Sequence, residues 1–269
     1  VVARARKLGV PSVVYTFDPH PLKVVSPEKS PPLILDLEDK KRLIGEVGTD
    51  WLVLARFTKG FASLHPRQFV EEVLVGSLSV REVWVGHDYS FGRGKAGTVD
   101  YLEKLGREYG FEVHVIPAYR LGGEVVSSSR IRGLIRSGRV SGAARLLGRP
   151  YAVKGKVVRG RDIGRSIGFP TANVHVASEL VPGTGVYAAR ARVVGRTHGA
   201  VVNIGAAPTF GARDVTVEVH ILGFDQDIYG RGIEVSFARR LRGERRFRDK
   251  DELVERIKRD IERARGILG

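Results

Sequence analysis

The 269-residue sequence contains no cysteine and no methionine. Without cysteine it can form neither disulfide bonds nor thiolate metal sites, so its chemistry depends on oxygen and nitrogen groups. No apolar run approaches the roughly 18 residues that a membrane-spanning helix needs, and the opening VVARARKLG is too short and too charged for a signal peptide. We therefore expect a cytosolic protein. The missing initiator methionine predicts a processed chain or a part of a longer polypeptide.

Hydrophobic residues make up 42% of the sequence and charged residues 28%, proportions that are typical of globular proteins rather than disordered ones. The length favours two domains, each with its own core. A net charge of +15 indicates that anions approach the surface, whether nucleic acid, nucleotides or an acidic partner. A solvated, arginine-rich surface explains the same charge.

The first half of the sequence alternates between two periodicities. Short runs rich in Val, Trp and Phe predict buried strands at Ser12–Phe17, Trp51–Phe57, Arg81–Gly86 and Phe111–Pro117. Apolar residues three or four apart predict helices at Leu37–Val47, Pro66–Val75 and Thr98–Tyr109. Strands that alternate with helices predict a parallel sheet with right-handed crossovers, whose ligands bind at the carboxyl ends of the strands.

After Tyr151 the strand-like runs follow one another with only turns between them, which predicts a small antiparallel β-barrel. The predicted strands are Ala152–Arg159, Gly185–Val194, His198–Ile204, Val215–Ile221 and Ile233–Leu241. A terminal helix follows, capped by Asp249 or Asp251 and ended by Gly266. We place the domain boundary near Gly148, giving domains 1–148 and 149–269.

The segment Gly164–Val174, GRSIGFPTANV, carries the most chemical information. Thr171 and Asn173 are two residues apart and so share one face of an extended strand. A hydroxyl and an amide oxygen are hard ligands of the kind that Mg²⁺ and its phosphates take. An ordinary turn with local hydrogen bonds from Thr and Asn explains the same residues.

Strict alternation in Val215–Ile221, VTVEVHI, puts Glu218 and His220 on the face opposite the valines. A rigid strand could hold Glu218 at a barrel mouth, where it would take a proton from a substrate hydroxyl. A polar outer face of the barrel is the competing explanation.

Three serines and two arginines stand at a predicted strand-to-helix junction, in SSSRIR: Ser127, Ser128, Ser129, Arg130 and Arg132. Free amides at a helix start together with guanidinium groups suit a phosphate, although a serine N-cap with solvated arginines fits equally well.

Other polar segments are less specific. The loop Gly92–Gly97, GRGKAG, does not follow its strand directly and is therefore not a dinucleotide fingerprint, although it could contact a phosphate. A proline-braced turn explains Asp18 and His20 nearly as well as a ligand site. The histidines show no metal-ligand spacing, so no zinc site is expected.

Taken together, these segments resemble the bifunctional bacterial riboflavin kinase/FMN adenylyltransferase (FAD synthetase) family over nearly the whole chain. In the first half the resemblance rests on TFDPHP, FTKGFASLHPRQF, VGHDYSFG and SSSRIR. In the second half it rests on GRSIGFPTANV, GVYAA, NIGAAPTF, VEVHI, DIYG and LRGERRF. It implies a Rossmann-like nucleotidyltransferase domain followed by a riboflavin kinase barrel.

For the barrel, the resemblance implies transfer of the γ-phosphoryl group of ATP to riboflavin. Glu218 would be the general base, and Thr171 and Asn173 would bind Mg²⁺. The matched nucleotide-binding residues are Gly164, Gly168, Pro170, Thr171 and Asn173. The segment Leu241–Phe247 would close near the flavin.

For the first domain, the resemblance implies adenylylation of FMN to FAD. Ser127, Ser128, Ser129 and Arg132 match the nucleotide-binding motif, and Asp88, Tyr89 and Phe91 match the flavin-binding segment. The family's opening strand and GxFDGxHxGH loop, whose histidines stabilise the transition state, are not in this sequence. An adenylyltransferase consisting of these residues alone is expected to be impaired.

Two alternatives stay open: a riboflavin kinase with a remnant first domain, and a basic nucleic-acid-binding protein. The second is less favoured, because only 8% of the residues are aromatic and no nucleic-acid-binding motif is present. We expect ATP and flavins as partners, and neither nucleic acid nor membrane.

Overall fold

A computed structural model describes residues 1–160, 164, 167–206, 215–245 and 247–269. The chain forms two compact units. The first comprises Val1–Pro31 and Leu35–Val125, and the second comprises Pro32–Ile34 and Val126–Gly269. The helices Ser128–Arg136 and Val140–Leu147, which directly precede the predicted boundary at Gly148, therefore belong to the second unit.

The first unit alternates helices and strands, as predicted. Its helices are α1 (Val2–Leu8), α2 (Pro21–Val25), α3 (Leu37–Glu46), α4 (Lys59–Ala62), α5 (Pro66–Phe69), which continues as a π-helix over Val70–Ser77, and α6 (Val99–Tyr109). Its strands are β1 (Val13–Asp18), β2 (Trp51–Arg56), β3 (Glu82–Gly86), β4 (Glu112–Ile116) and the short hairpin β5 (Arg120–Leu121) and β6 (Glu124–Val125).

The parallel strands form two pairs among the described residues, β1 with β2 and β3 with β4. The strands are parallel, as predicted, and among the described residues they form two separate two-stranded sheets. Helix α6 packs Leu102 and Leu105, neither of which is exposed, into a core with Phe69 and Phe111. The side chain of Thr98 caps this helix.

The second unit is a closed antiparallel barrel, as predicted. Around the barrel, the six strands defined next follow the order β10-β11-β8-β7-β12-β9. Its strands are β7 (Tyr151–Val158), β8 (Ala172–Val176), β9 (Gly185–Val193), β10 (Arg196–Ala206), β11 (Val215–Ile221) and β12 (Gly232–Arg242). The sixth strand, β8, comes from the segment around Asn173 that we predicted only as extended. In the described part of this unit, the helices α7 (Ser128–Arg136), α8 (Val140–Leu147) and α9 (Lys250–Leu268) accompany the barrel.

Helix α9 covers part of the outer barrel surface. Ile261, Ala264 and Leu268 of the helix pack with Val186 and Ala188 of β9. Asp249 caps its start by accepting from the Glu252 amide.

The predicted end of α9 at Gly266 is wrong, since the helix continues to Leu268. Leu268 is 7% exposed and belongs to the apolar cluster. Its burial outweighs the cost of about 1 kcal/mol that a glycine adds inside a helix.

Candidate active site

Glu218 lies in the middle of a row of polar residues across three barrel strands. In the strand register it is the partner of Asn173 on β8 and of Asn203 on β10. Side chains of directly paired residues point to the same face of a sheet, so the only two asparagines of the sequence flank this carboxylate.

The row lies on the outer face of the barrel rather than at its mouth, where we expected Glu218. The alternate residues Val217 and Val219 are 1% and 0% exposed and fill the interior. The competing explanation, a polar outer face of the barrel, was therefore correct about the direction in which Glu218 points. Glu218 is nevertheless half-buried, because other segments cover it.

These segments enclose a cavity of about 310 Å³ next to Glu218, which we call the outer cavity. Its walls come from Glu218 and Asn203 of the row, from the segment before β8, from the end of β12 and the residues after it, and from α9. The lining includes Phe169, Thr171, Asn203, Glu218, His220, Arg242, Glu244, Phe247, Leu253, Ile257 and Asp260. Burial raises the pKa of Glu218, which makes its carboxylate a stronger base.

The segment before β8 is held against the barrel by His220. The Nδ1–H of His220 donates to the Pro170 carbonyl oxygen at 2.8 Å. A Cβ at Gly164 would lie 2.4 Å from the Phe169 carbonyl oxygen, so only glycine fits this close approach. Gly168 has a φ of 85°. Residues 165 and 166 of the predicted nucleotide loop lie outside the described residues.

Gly160 lies directly against Asn173. A Cβ at Gly160 would lie 1.8 Å from Asn173 Nδ2 and 2.3 Å from Asn173 Cγ. The missing side chain of Gly160 therefore provides the space that the Asn173 amide occupies.

A second cavity of about 340 Å³, the inner cavity, meets the outer cavity at Thr171. It is lined by inward-facing barrel residues such as Val157 and Val219 and by the loop from Phe224 to Tyr229. Both volumes are within the range of small-molecule sites. Thr171 therefore lies where the contents of the two cavities would meet.

The donor set of this region fits a hard divalent cation. Thr171 offers a hydroxyl oxygen, and Asn173 offers an amide oxygen. Oxygen ligands of this kind suit Mg²⁺, which usually keeps several waters and bridges to substrate phosphates. Glu244 adds a carboxylate to this region. Its Oε1 would lie 3.1 Å from a Cβ placed on Gly205 of β10, two residues after Asn203.

The predicted flavin segment of the first unit follows β3. Asp88 is exposed, and Tyr89 is half-buried with its ring stacked 5.6 Å from that of Phe91. Burial raises the pKa of Tyr89 to about 12. Phe91 is 7% exposed and packs against Phe69 in the core, so it supports this segment from beneath.

The predicted serine cluster opens α7 in the second unit. Ser127 is the N-cap, accepting from the Arg130 amide at 3.3 Å, whereas Ser128 and Ser129 are exposed. Arg132 Nε donates to the Pro32 carbonyl oxygen at 2.8 Å. The capping explanation thus holds for Ser127, and the other two serines remain accessible.

Three further features have structural explanations. His20 caps α2 by accepting from the Leu22 amide at 3.2 Å. Gly92 lies so close to Pro66 that a Cβ would come within 2.6 Å of it. His114 lies near Glu82 and Glu112, a group that the sequence did not reveal, but Arg4 already donates to Glu82 at 2.8 Å.

Comparisons with known proteins identify the family of the chain. Residues 147–268 match the riboflavin kinase family model, and residues 1–130 match the FAD synthetase family model. A bifunctional riboflavin kinase/FMN adenylyltransferase of Escherichia coli is 38% identical over 265 residues, covering 98% of this chain and 85% of that protein. The chain belongs to this family. Relatives of the same name from Bacillus subtilis and Haemophilus influenzae are 38% and 32% identical over 266 residues, covering 97% and 98% of this chain and 83% and 86% of their own lengths.

A solved structure supports the fold assignment. The crystal structure of a protein named macrolide-efflux protein, from Streptococcus pneumoniae, superimposes with a TM-score of 0.87 at 32% identity, covering 98% of this chain and 86% of that one. The word efflux belongs to the name of that protein and says nothing about this chain. In the described part of this family member, no helix is long and apolar enough to cross a membrane.

Several residues of the site were not predicted as site residues. Asn203 occurs in NIGAAPTF, and only the strand register brings it next to Glu218. Residues 207–210 of this motif lie outside the described part of the chain. The alternation around Glu218 placed His220 on the correct face. Gly160 and Asp260 carry no local sequence signal, because their roles depend on contacts across the fold.

Proposed function

We propose that the barrel phosphorylates riboflavin at the polar row Asn173, Glu218 and Asn203, and that the first domain supports adenylylation of FMN. The chain is a bifunctional transferase of flavin biosynthesis that forms FMN from riboflavin and ATP, and FAD from FMN and ATP. The single observation that carries the kinase assignment is a half-buried carboxylate between two amides, beside a threonine shared by two cavities.

The two cavities suit the two substrates of the kinase. We place riboflavin in the outer cavity, because its apolar walls suit a planar ring and Glu218 can reach a hydroxyl there. ATP then occupies the inner cavity, with its phosphates directed to Thr171 at the junction. This arrangement brings the hydroxyl of one substrate to the γ-phosphorus of the other, as transfer requires.

Each residue then has a defined task. Glu218 accepts the proton of the riboflavin hydroxyl as the hydroxyl oxygen bonds to the γ-phosphorus, and the bond from that phosphorus to the β-phosphate oxygen breaks, releasing ADP. Thr171 and Asn173 would hold Mg²⁺ and orient the phosphates, and Gly164, Gly168 and Pro170 shape the covering loop. When bound, Mg²⁺ supplies charge neutralisation for the phosphates.

For adenylylation, a phosphate oxygen of FMN attacks the α-phosphorus of ATP and pyrophosphate leaves. We propose that Ser128, Ser129 and the amides at the start of α7 bind ATP phosphates, together with Ser127 and Arg132. Asp88 and Tyr89 contact the flavin, with Phe91 beneath them.

The alternatives are less well supported. The match of residues 1–130 to FAD synthetase favours a working first domain over a remnant. The family match gives the basic surface a nucleotide partner, so nucleic acid is not needed to explain it. Both reactions consume ATP, which favours the cytosolic location predicted from the sequence.

The test is to incubate the chain with riboflavin, ATP and Mg²⁺, to repeat the reaction from FMN, and to separate the flavins by chromatography over time. We expect FMN to form from riboflavin and FAD to form from FMN. Folded protein that makes neither product would overturn the proposed function.

A further inference from the structure

Helix α9 carries a carboxylate, Asp260, inside its packed face. Asp260 is 1% exposed, and its neighbours Ile261 and Ala264 pack against the barrel. An ionised carboxylate in such surroundings is costly unless cations and hydrogen-bond donors compensate it. Its presence therefore needs a reason beyond the packing of the helix.

Arg242, at the end of β12, compensates this charge. Its Nε donates to Oδ2 of Asp260 at 2.7 Å, and its Nη1 donates to the Gly243 carbonyl oxygen at 3.1 Å. Its guanidinium carbon lies 5.5 Å from the centroid of the Phe247 ring. These contacts fix the guanidinium group, and Nη2 has no acceptor in the described part of the chain.

A second arginine, Arg256, lies one helical turn before Asp260 on α9. Its Nε is 3.4 Å from Oδ1 of Asp260, and neither of these buried atoms has a hydrogen-bond partner among the residues described. Asp260 therefore accepts its hydrogen bond from Arg242 and not from Arg256, its neighbour on the helix.

Arg242, Phe247 and Asp260 line the same cavity as Glu218. The isoalloxazine ring of a flavin carries carbonyl oxygens and ring nitrogens along one edge, and these atoms accept hydrogen bonds. A cationic donor held in the wall of the cavity matches such an edge, and charge-assisted hydrogen bonds are about twice as strong as neutral ones.

We propose that Asp260 is a positioning residue for flavin recognition: it holds the Arg242 guanidinium beside Phe247, so that Nη2 donates to an acceptor on the polar edge of the flavin ring. This inference rests on the proposed function, because it takes riboflavin as the occupant of the outer cavity. Asp260 acts through Arg242 and does not take part in the transfer step.

The inference predicts a split between binding and turnover. Asp260→Asn keeps the shape of the side chain but replaces the charge-assisted bond with a neutral one. We expect the Kd and KM for riboflavin to rise about tenfold, as weakening of one hydrogen bond to a charged group would give. The kcat and the KM for ATP should stay near wild type, because Glu218 and Thr171 are unchanged.

A double-mutant cycle with Arg242→Lys tests the route of the effect, with riboflavin fluorescence titration as the readout. If Asp260 acts through Arg242, the double variant binds riboflavin no more weakly than Arg242→Lys alone. Independent, additive losses would overturn the inference. Glu234→Gln is the matched control, because it breaks an exposed ion pair with Arg192 on the same barrel and should leave riboflavin affinity unchanged.

The outcomes separate the two proposals. Wild-type protein that neither binds riboflavin nor forms FMN would contradict the proposed function itself. If the wild type is active and Asp260→Asn binds riboflavin with unchanged affinity, this inference alone is overturned. That conclusion holds even if the melting temperature of Asp260→Asn is lower. Should Asp260→Asn not fold, Asp260→Glu takes its place with the same expected rise in Kd, since it keeps the charge but displaces it.

Discussion

Replacing Gly160 with alanine should disable the kinase without unfolding the barrel. The new Cβ would lie 1.8 Å from Asn173 Nδ2, so the amide must move by about 1.7 Å to reach an ordinary contact of about 3.5 Å. The backbone of Gly160 is not in the left-handed region, so alanine adds no backbone strain. The displaced atoms are the end of a rotatable side chain, and we expect the free energy of unfolding to change by less than about 1 kcal/mol.

The loss of activity should be much larger than the loss of stability. A misplacement of about 1 Å near the reacting groups can cost about 100-fold in rate, and we expect a fall of that size in kcat/KM for FMN formation. The Mg²⁺ concentration for half-maximal activity should also rise, since Asn173 is a proposed ligand.

The assay is the initial rate of FMN formation at several Mg²⁺ concentrations, with the melting temperature measured in parallel. Gly232→Ala is the control, because a Cβ there meets no atom within 4 Å and the residue belongs to the same barrel. Full activity in a folded Gly160→Ala protein, or an equal loss in Gly232→Ala, would refute the placement of Asn173 in the site.

Three further predictions concern the base and the first unit. Glu218→Gln should lower kcat for riboflavin phosphorylation by about 10²- to 10⁴-fold, as expected for a general base, with a nearly unchanged melting temperature. The control variant Glu234→Gln should keep its activity. Wild-type turnover in Glu218→Gln would contradict the assignment of Glu218 as the base. The pKa of Tyr89 is raised to about 12, from about 10 in the unfolded chain. Between these pH values the folded form keeps a proton that the unfolded form loses. The free energy of unfolding should therefore fall as pH rises from about 10 to about 12. Denaturant titrations should show a weaker fall in Tyr89→Phe but not in Tyr119→Phe, whose tyrosine is 69% exposed; equal pH profiles would contradict the burial effect. Leu105→Ala should destabilise the first unit by about 2–5 kcal/mol, measured by chemical denaturation, and a loss under about 1 kcal/mol would contradict its core position.

Local patterns predicted the elements well where one face of each element is buried. The alternation of Val217 and Val219 with Glu218 gave the correct faces of β11, because a half-buried strand must repeat every two residues. Of the two caps predicted for α9, Asp249 or Asp251, the structure has Asp249, since free helix amides need acceptors.

The contacts between elements could not be predicted in this way. Nothing local brings Asn203 opposite Glu218, because strand register depends on the whole barrel. The end of α9 was wrong since the burial of Leu268 depends on a partner surface elsewhere in the chain. Asp260 looked like an ordinary charge on a helix, and only its contact with Arg242 distinguishes it.

The most direct test of the central claim follows the phosphoryl group itself. Wild type and Glu218→Gln would each receive riboflavin, Mg²⁺ and ATP labelled in the γ-phosphate, and the label in FMN would be measured within one turnover. We predict that wild type transfers the label to FMN and that Glu218→Gln transfers it at least about 100-fold more slowly. Label that stays in ATP with folded wild-type protein, or equal transfer by both proteins, would contradict the account.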